Sequence, residues 1–184
     1  MKERHALEEI LWSAGRQVLS YYIRTAKELS ELVSEFHDSN FRYLHLACHG
    51  NANGIQLTYD FIGLEELASI VAPALQVRRL FLSACQSTRA PLARALFRCS
   101  SCYSVIGPKD DPPFHDATLA WALFYSLMAK ANREAMKQAE IKVQLQSVCD
   151  LLDIRFNAFF NNNGIPQHQV FRRSVRSTAT ATTD

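Results

Sequence analysis

The chain has 184 residues, enough for one domain with a sizeable core and too few for two comfortable ones. Its 48% hydrophobic and 21% charged residues exclude a disordered or fibrous protein, and a formal charge of +2 leaves no broad basic field for nucleic acid beyond the small "FRRSVR" cluster. No apolar run reaches the roughly eighteen residues of a membrane span, the start "MKERHALEEI" lacks the apolar core of a signal peptide, and five cysteines are an odd set, so free thiols, a cytoplasmic setting, and neither membrane nor nucleic acid as partner are expected.

Leu7, Ile10, Leu11 and Ala14 fall at helical spacing before Gly15, so the chain opens on a helix with a glycine stop. A strand is expected at 17–24, "QVLSYYIR". Thr25 with Glu28 makes a capping box, and Leu29, Leu32, Val33 and Phe36 form the apolar stripe of the helix behind it. The near-continuous apolar character of "FRYLHLA", 41–47, fits a strand covered on both faces in a parallel sheet. A short hairpin at 54–63 leads to a helix over "LEELASIVAPAL", 64–75. "VRRLFLSA" at 77–84 is a further core strand, Pro91 starts a short helix, and "CYSVIG" at 102–107 is the next strand. The loop "PKDDPPFHD" ends at Asp116, placed to cap a helix carrying Leu119, Leu123, Phe124 and Leu127. From Asn132 to about Phe160 the pattern reads as a long helical region, followed by a turn at 161–164 and a last short strand in "HQVFRRS". One domain over 1–175 and a disordered tail over 176–184 are expected.

Short apolar strands alternating with amphipathic helices predict an α/β sandwich with a mostly parallel sheet, in which sites form at the carboxyl ends of strands. "FRYLHLACHG" closes on His49 and Gly50, and "RRLFLSACQS" on Cys85 and its polar followers. If these strands are neighbours, both side chains emerge at one sheet edge. A thiol is a good nucleophile only as thiolate, and an imidazole beside it can take the proton and later protonate a leaving amine. The glycine after His49 and the bend after Cys85 add backbone amides able to stabilise an oxyanion.

The strings "LHLACHG" and "LFLSACQS", separated by a hairpin and an "L-x-x-L" helix, together with "YSVIG", the loop closing on Asp116 and "WALFYSLM", resemble the caspase-like cysteine peptidases of the CHAT group, near caspases, metacaspases and separase. The resemblance covers roughly residues 6–130. It implies a caspase-like three-layer α/β/α sandwich, His49 as catalytic histidine, Cys85 as nucleophile, and the amides of Gly50 and Cys85 as oxyanion hole. Asp110, Asp111 and Asp116 are candidates for meeting a basic P1 side chain. The resemblance also implies a protein or peptide substrate, regulated proteolysis or bacterial defence as setting, and an activating or regulatory protein partner. Family members normally begin with a further core strand, for which this chain has no room, so the N-terminal strand is expected to be missing. A catalytically silent, partner-binding module is the alternative function.

Blander roles are expected for the remaining candidates. His45 lies inside its strand and reads as a satisfied core histidine, and Cys48 as packing. Cys99 and Cys102 make one C-x-x-C where a structural zinc usually needs two pairs, so neither metal nor cofactor is expected, and a metal-stabilised binding domain rests only on the Cys/His count.

Overall fold

The computed structural model describes residues 2–131 and 135–174. Its framework is a five-stranded sheet of β1 (Tyr43–Ala47), β5 (Arg79–Ser83), β6 (Ser104–Pro108), β7 (Phe156–Asn162) and β8 (Ile165–Phe171), hydrogen-bonded in that order. β1, β5 and β6 run parallel, β7 is antiparallel to β6, and β8 returns antiparallel to β7, so four of the five strands point the same way. A small second sheet, β2 (His49–Asn51), β3 (Gly54–Gln56) and β4 (Phe61–Gly63), grows directly out of the end of β1.

Among the described residues six α-helices cover the main sheet: α1 (Lys2–Ser13), α2 (Ala26–Asp38), α3 (Leu64–Val71), which a 3-10 turn at Ala72–Leu75 continues, α4 (Ala90–Cys99), α5 (Phe114–Ala131) and α6 (Gln138–Leu152). The period of two in the strands sorts them into two layers. Leu46, Leu80, Leu82, Val105 and Phe159 face α2, α3 and α4, while Phe81, Ile106, Phe156, Ala158 and Phe160 face α1, α5 and α6. The result is the expected three-layer α/β/α sandwich with a mostly parallel sheet. The second layer holds an aromatic cluster in which the Phe81 ring lies 5.7 Å from those of Trp121 and Phe124 and 5.8 Å from that of Tyr125.

Local signals account for most boundaries. Thr25 caps α2 by accepting from the Glu28 amide at 3.1 Å, while the Glu28 carboxylate accepts from the amide of Arg24, one residue before the cap, at 2.7 Å, rather than from that of Thr25 as a capping box requires. Asn163 (φ 51°) and Gly164 (φ 85°) give the β7–β8 hairpin its left-handed two-residue turn, the geometry whose twist matches that of paired strands.

Three expectations need correction. The segment 17–24 has no regular secondary structure and pairs with no strand among the described residues; it is an arm, anchored near its ends by the Arg16 amide on the Leu11 carbonyl (2.9 Å) and the Tyr59 amide on the Arg24 carbonyl (2.9 Å). Of the helical region expected from 132 to 160, residues 132–134 lie outside the described residues, and the described part is helix only over α6. Asp153 adopts a left-handed C-cap (φ 54°), and the aromatic run after it forms β7, because Phe156, Ala158 and Phe160 fill the α6 side of the sheet while Phe159 fills the other. The last strand begins at Ile165 rather than His168. The tail expected at 176–184 lies outside the described residues. Among the described residues no helix is long and apolar enough to cross a membrane.

Candidate active site

β1 and β5 are parallel neighbours with Tyr43 opposite Arg79 and Ala47 opposite Ser83, so their carboxyl ends reach the same edge of the sheet. The ladder extends one step further through the Cys48 amide, which donates to the Ser83 carbonyl at 3.1 Å. His49 and Cys85 each stand two residues beyond the last registered pair. The chain bends at Cys48, and exposed His49 opens β2, where it faces Gln56. On the other side Ala84 bends and Cys85 begins a turn whose second residue, Gln86, has φ 56°. Such a left-handed conformation in a residue with a side chain costs on the order of 1–3 kcal/mol and persists only where its surroundings impose it.

Those surroundings are visible. The Ser87 amide donates to the Ala84 carbonyl at 3.3 Å, and the fully buried Ser87 hydroxyl faces three carbonyl oxygens, those of Gly54 (3.0 Å), Asn51 (3.2 Å) and Cys85 (3.2 Å). Having one proton, it donates to one of them at a time. The next residue is fixed from the opposite side: Asn157 of β7 donates its side-chain amide to the Thr88 carbonyl at 2.9 Å, and His168 Nε2 donates to Asn157 Oδ1 at 3.0 Å. The Cys85 turn is therefore pinned between the β2–β3 hairpin and the antiparallel strands.

Gly50 lets the two halves touch. A Cβ there would run into the Ser87 hydroxyl and stand 3.0 Å from both the Ala84 Cβ and the Cys85 carbonyl oxygen. Only a residue without a side chain allows the strand-end segments bearing His49 and Cys85 to pack at this separation.

His49 and Cys85 line one cavity of about 1330 Å³, together with Ser83, Pro108 and Asp111. Of the three acidic candidates, only Asp111 lines it. Asp110 is drawn away by Arg155, whose Nε donates to its carboxylate at 2.5 Å. Asp116 is not the cap of its helix: α5 begins at Phe114, with the Ala117 amide donating to the Pro113 carbonyl at 3.0 Å, so Asp116 is a first-turn carboxylate favoured by the positive end of the helix.

No disulfide joins the five cysteines, and they sit in different surroundings. Burial pushes the Cys102 and Cys149 thiols up to about 12, which leaves them protonated and unreactive near neutral pH. Cys48 packs against the α2–α4 core, and Cys99 is exposed at the end of α4, away from buried Cys102. Among the described residues no group of three or more His, Cys, Asp or Glu could hold a metal ion. His45 shares a 2.8 Å hydrogen bond with the Tyr125 hydroxyl and meets the edge of Trp121 at 4.9 Å, which places it in the α5-facing core. Sequence reasoning noted Ser87 and Thr88 only as polar followers of Cys85 and missed Asn157. The signal for Asn157 was a polar residue inside the aromatic run "RFNAFF", where burial demands a partner.

No curated protein matches the chain. A family model for the CHAT domain matches residues 1–98, more than half of the 184-residue chain. With its mixed, mostly parallel sheet between helical layers, the chain belongs to the CHAT domain family, a caspase-like and peptidase-related group.

Proposed function

We propose that the protein is a cysteine endopeptidase with Cys85 as nucleophile and His49 as acid/base. The observation that carries this reading is the registered pairing of β1 with β5, which brings the segments bearing His49 and Cys85 to one edge and opens both residues on one cavity. His49 takes the Cys85 proton, and the sulfur attacks the scissile carbonyl carbon. The resulting oxyanion accepts from the Gly50 and Cys85 amides. When the tetrahedral adduct collapses, the C–N bond breaks, the amine leaves with the proton from His49, and a thioester remains. Water, deprotonated by His49, then releases the carboxylic acid and restores the thiol. Asp111, the acid on the cavity wall, is the candidate for meeting a basic P1 side chain. The setting proposed with it is cytoplasmic, with a protein substrate cut in regulated proteolysis or bacterial defence.

The test is intact-mass labelling with peptidyl acyloxymethyl ketones carrying basic, acidic or apolar P1 groups, on wild type, His49→Ala and Cys85→Ala. Labelling lost in Cys85→Ala and slowed about 10²- to 10⁴-fold in His49→Ala supports the peptidase. Exposed Cys99 reports the background reaction, and a folded protein that takes no probe at Cys85 overturns the reading. A second reading, a catalytically silent partner-binding module, is favoured by one observation: the outer edge of β1 carries no strand among the described residues.

A further inference from the structure

The small sheet that begins at His49 has two unlike faces. By the period of two, Gly50, Ile55 and Ile62 point one way and His49, Gln56 and Phe61 the other. Ile55 and Ile62 are wholly buried in the core beneath α2, α3 and α4, and Gly50 lies against Ser87. The opposite face is open: His49 and Gln56 are exposed, and Phe61 keeps 48% of its surface in contact with solvent.

Register sets these three side chains in one row. His49 stands opposite Gln56 and Gln56 opposite Phe61, so Phe61 lies two strand spacings, about 9–10 Å, from His49. The Phe61 ring is fixed there. A Cβ on Gly54 would come within 2.8 Å of its Cζ, so the ring lies across bare glycine backbone. The turn between β3 and β4 is fixed as well. The Leu57 amide donates to the Asp60 carbonyl at 2.8 Å, and the Gln56 side-chain amide donates to the Leu57 and Asp60 carbonyls at 2.7 and 3.0 Å. The Asp60 carboxylate in turn accepts from the Ala26 amide at 2.7 Å, where α2 starts. With the Gln56 donors committed to that turn, Phe61 is the apolar side chain that the row offers to a ligand.

We infer that Phe61 is a specificity-determining residue for the leaving half of the substrate, where it receives an apolar side chain two or three residues after the cleaved bond. The inference rests on the peptidase reading proposed above, and that reading supplies the direction. His49 gives its proton to the departing amine, so the leaving segment starts beside His49 while the other half of the substrate stays on the Cys85 sulfur. Gln56, the middle of the row, lines the same cavity as His49 and Cys85, which makes the path from the sulfur onto this face continuous. An extended chain advances about 3.3 Å per residue, so its second or third residue past the bond reaches Phe61. An apolar side chain is the one the ring selects, since covering a half-exposed aromatic face removes apolar surface from water on both partners.

The test is cleavage by the full chain of peptides that differ only at those two positions, which carry Leu, Ala or Glu, with the residue before the bond taken from the ketone that labels Cys85 fastest. Competition in one mixture gives the ratios of kcat/KM. Wild type is expected to favour Leu over Ala about fivefold or more, and Phe61→Ala to bring that ratio close to one. In Phe61→Lys the aliphatic stem still covers Gly54 while the ammonium stays in water, and the preference is expected to turn to Glu over Leu by about threefold or more. A damaged hairpin cannot produce that reversal. The inference is overturned if wild type cuts the Leu and Ala peptides equally, if the Leu preference survives in both variants, or if the variants lower all three rates in proportion. Labelling of Cys85 together with cleavage that ignores these positions strikes this inference alone. No labelling of Cys85, or no cleavage of any peptide, strikes the peptidase reading and this inference with it.

Discussion

The Ser87 hydroxyl, in the turn that Cys85 begins, donates to the carbonyl of Gly54 in the hairpin that His49 begins, at 3.0 Å. One buried hydroxyl thus ties the two halves of the candidate site together. In Ser87→Ala the buried Gly54 carbonyl loses this donor, a change that typically costs about 1–3 kcal/mol. Urea unfolding is expected to report that loss, and ketone labelling of Cys85 to slow with it. Unchanged stability and labelling would show that the hydroxyl does not hold the turn.

Gly50→Ala presses a methyl group onto the same hydroxyl and onto the Cys85 carbonyl. Overpacking of this kind costs about 1–3 kcal/mol and here forces the hairpin away from the Cys85 turn. Because Ser87 Oγ is the nearest obstacle, the cost is expected to be smaller in a Ser87→Ala background. A double-mutant cycle measures the difference, and strict additivity would contradict the contact.

Among the acidic candidates the cavity selects Asp111. Asp111→Asn is expected to slow labelling by basic-P1 ketones about three- to tenfold, in keeping with the ~1 kcal/mol of a partly exposed ion pair, and to leave apolar-P1 probes unaffected. Asp116→Asn should change neither rate. Asp110→Asn should release Arg155 and likewise leave P1 preference alone. An equal loss in all three variants would mean a general charge effect rather than a specificity contact.

His168 gives a pH signature. Burial, with the charge of Lys109 behind it, lowers its pKa from the ordinary 6.5, so the unfolded chain binds the proton more readily than the folded one. The stability linked to this group is fully present above about pH 6.5 and is lost as pH falls through the lowered folded value. Thermal unfolding between pH 7.5 and 5 is expected to show a larger drop for wild type than for His168→Gln, whose amide can still donate to Asn157 without titrating. Equal drops would remove His168 as the source.

The sequence by itself determined the elements whose signals are local. The Thr25 cap of α2, the Asn-Gly turn before β8 and the apolar runs of β1, β5 and β6 are each written in a few adjacent residues, and so are the positions of His49 and Cys85 at strand ends. Tertiary structure decided what depends on a neighbour. Residues 17–24 are rich in apolar and aromatic residues but form no ladder, because composition suits a strand and only a neighbouring strand supplies the hydrogen bonds. The run from Phe156 to Phe160 is apolar enough for a buried helix or a strand, and β6 on one side with β8 on the other made it a strand. The contact of Gly50 with Ser87 and the anchoring of Thr88 by Asn157 join residues far apart in sequence. Their geometry exists only once the parallel pairing of β1 with β5 has brought two strand ends to one edge, since packing and hydrogen bonding act over a few ångströms of space whatever the distance along the chain.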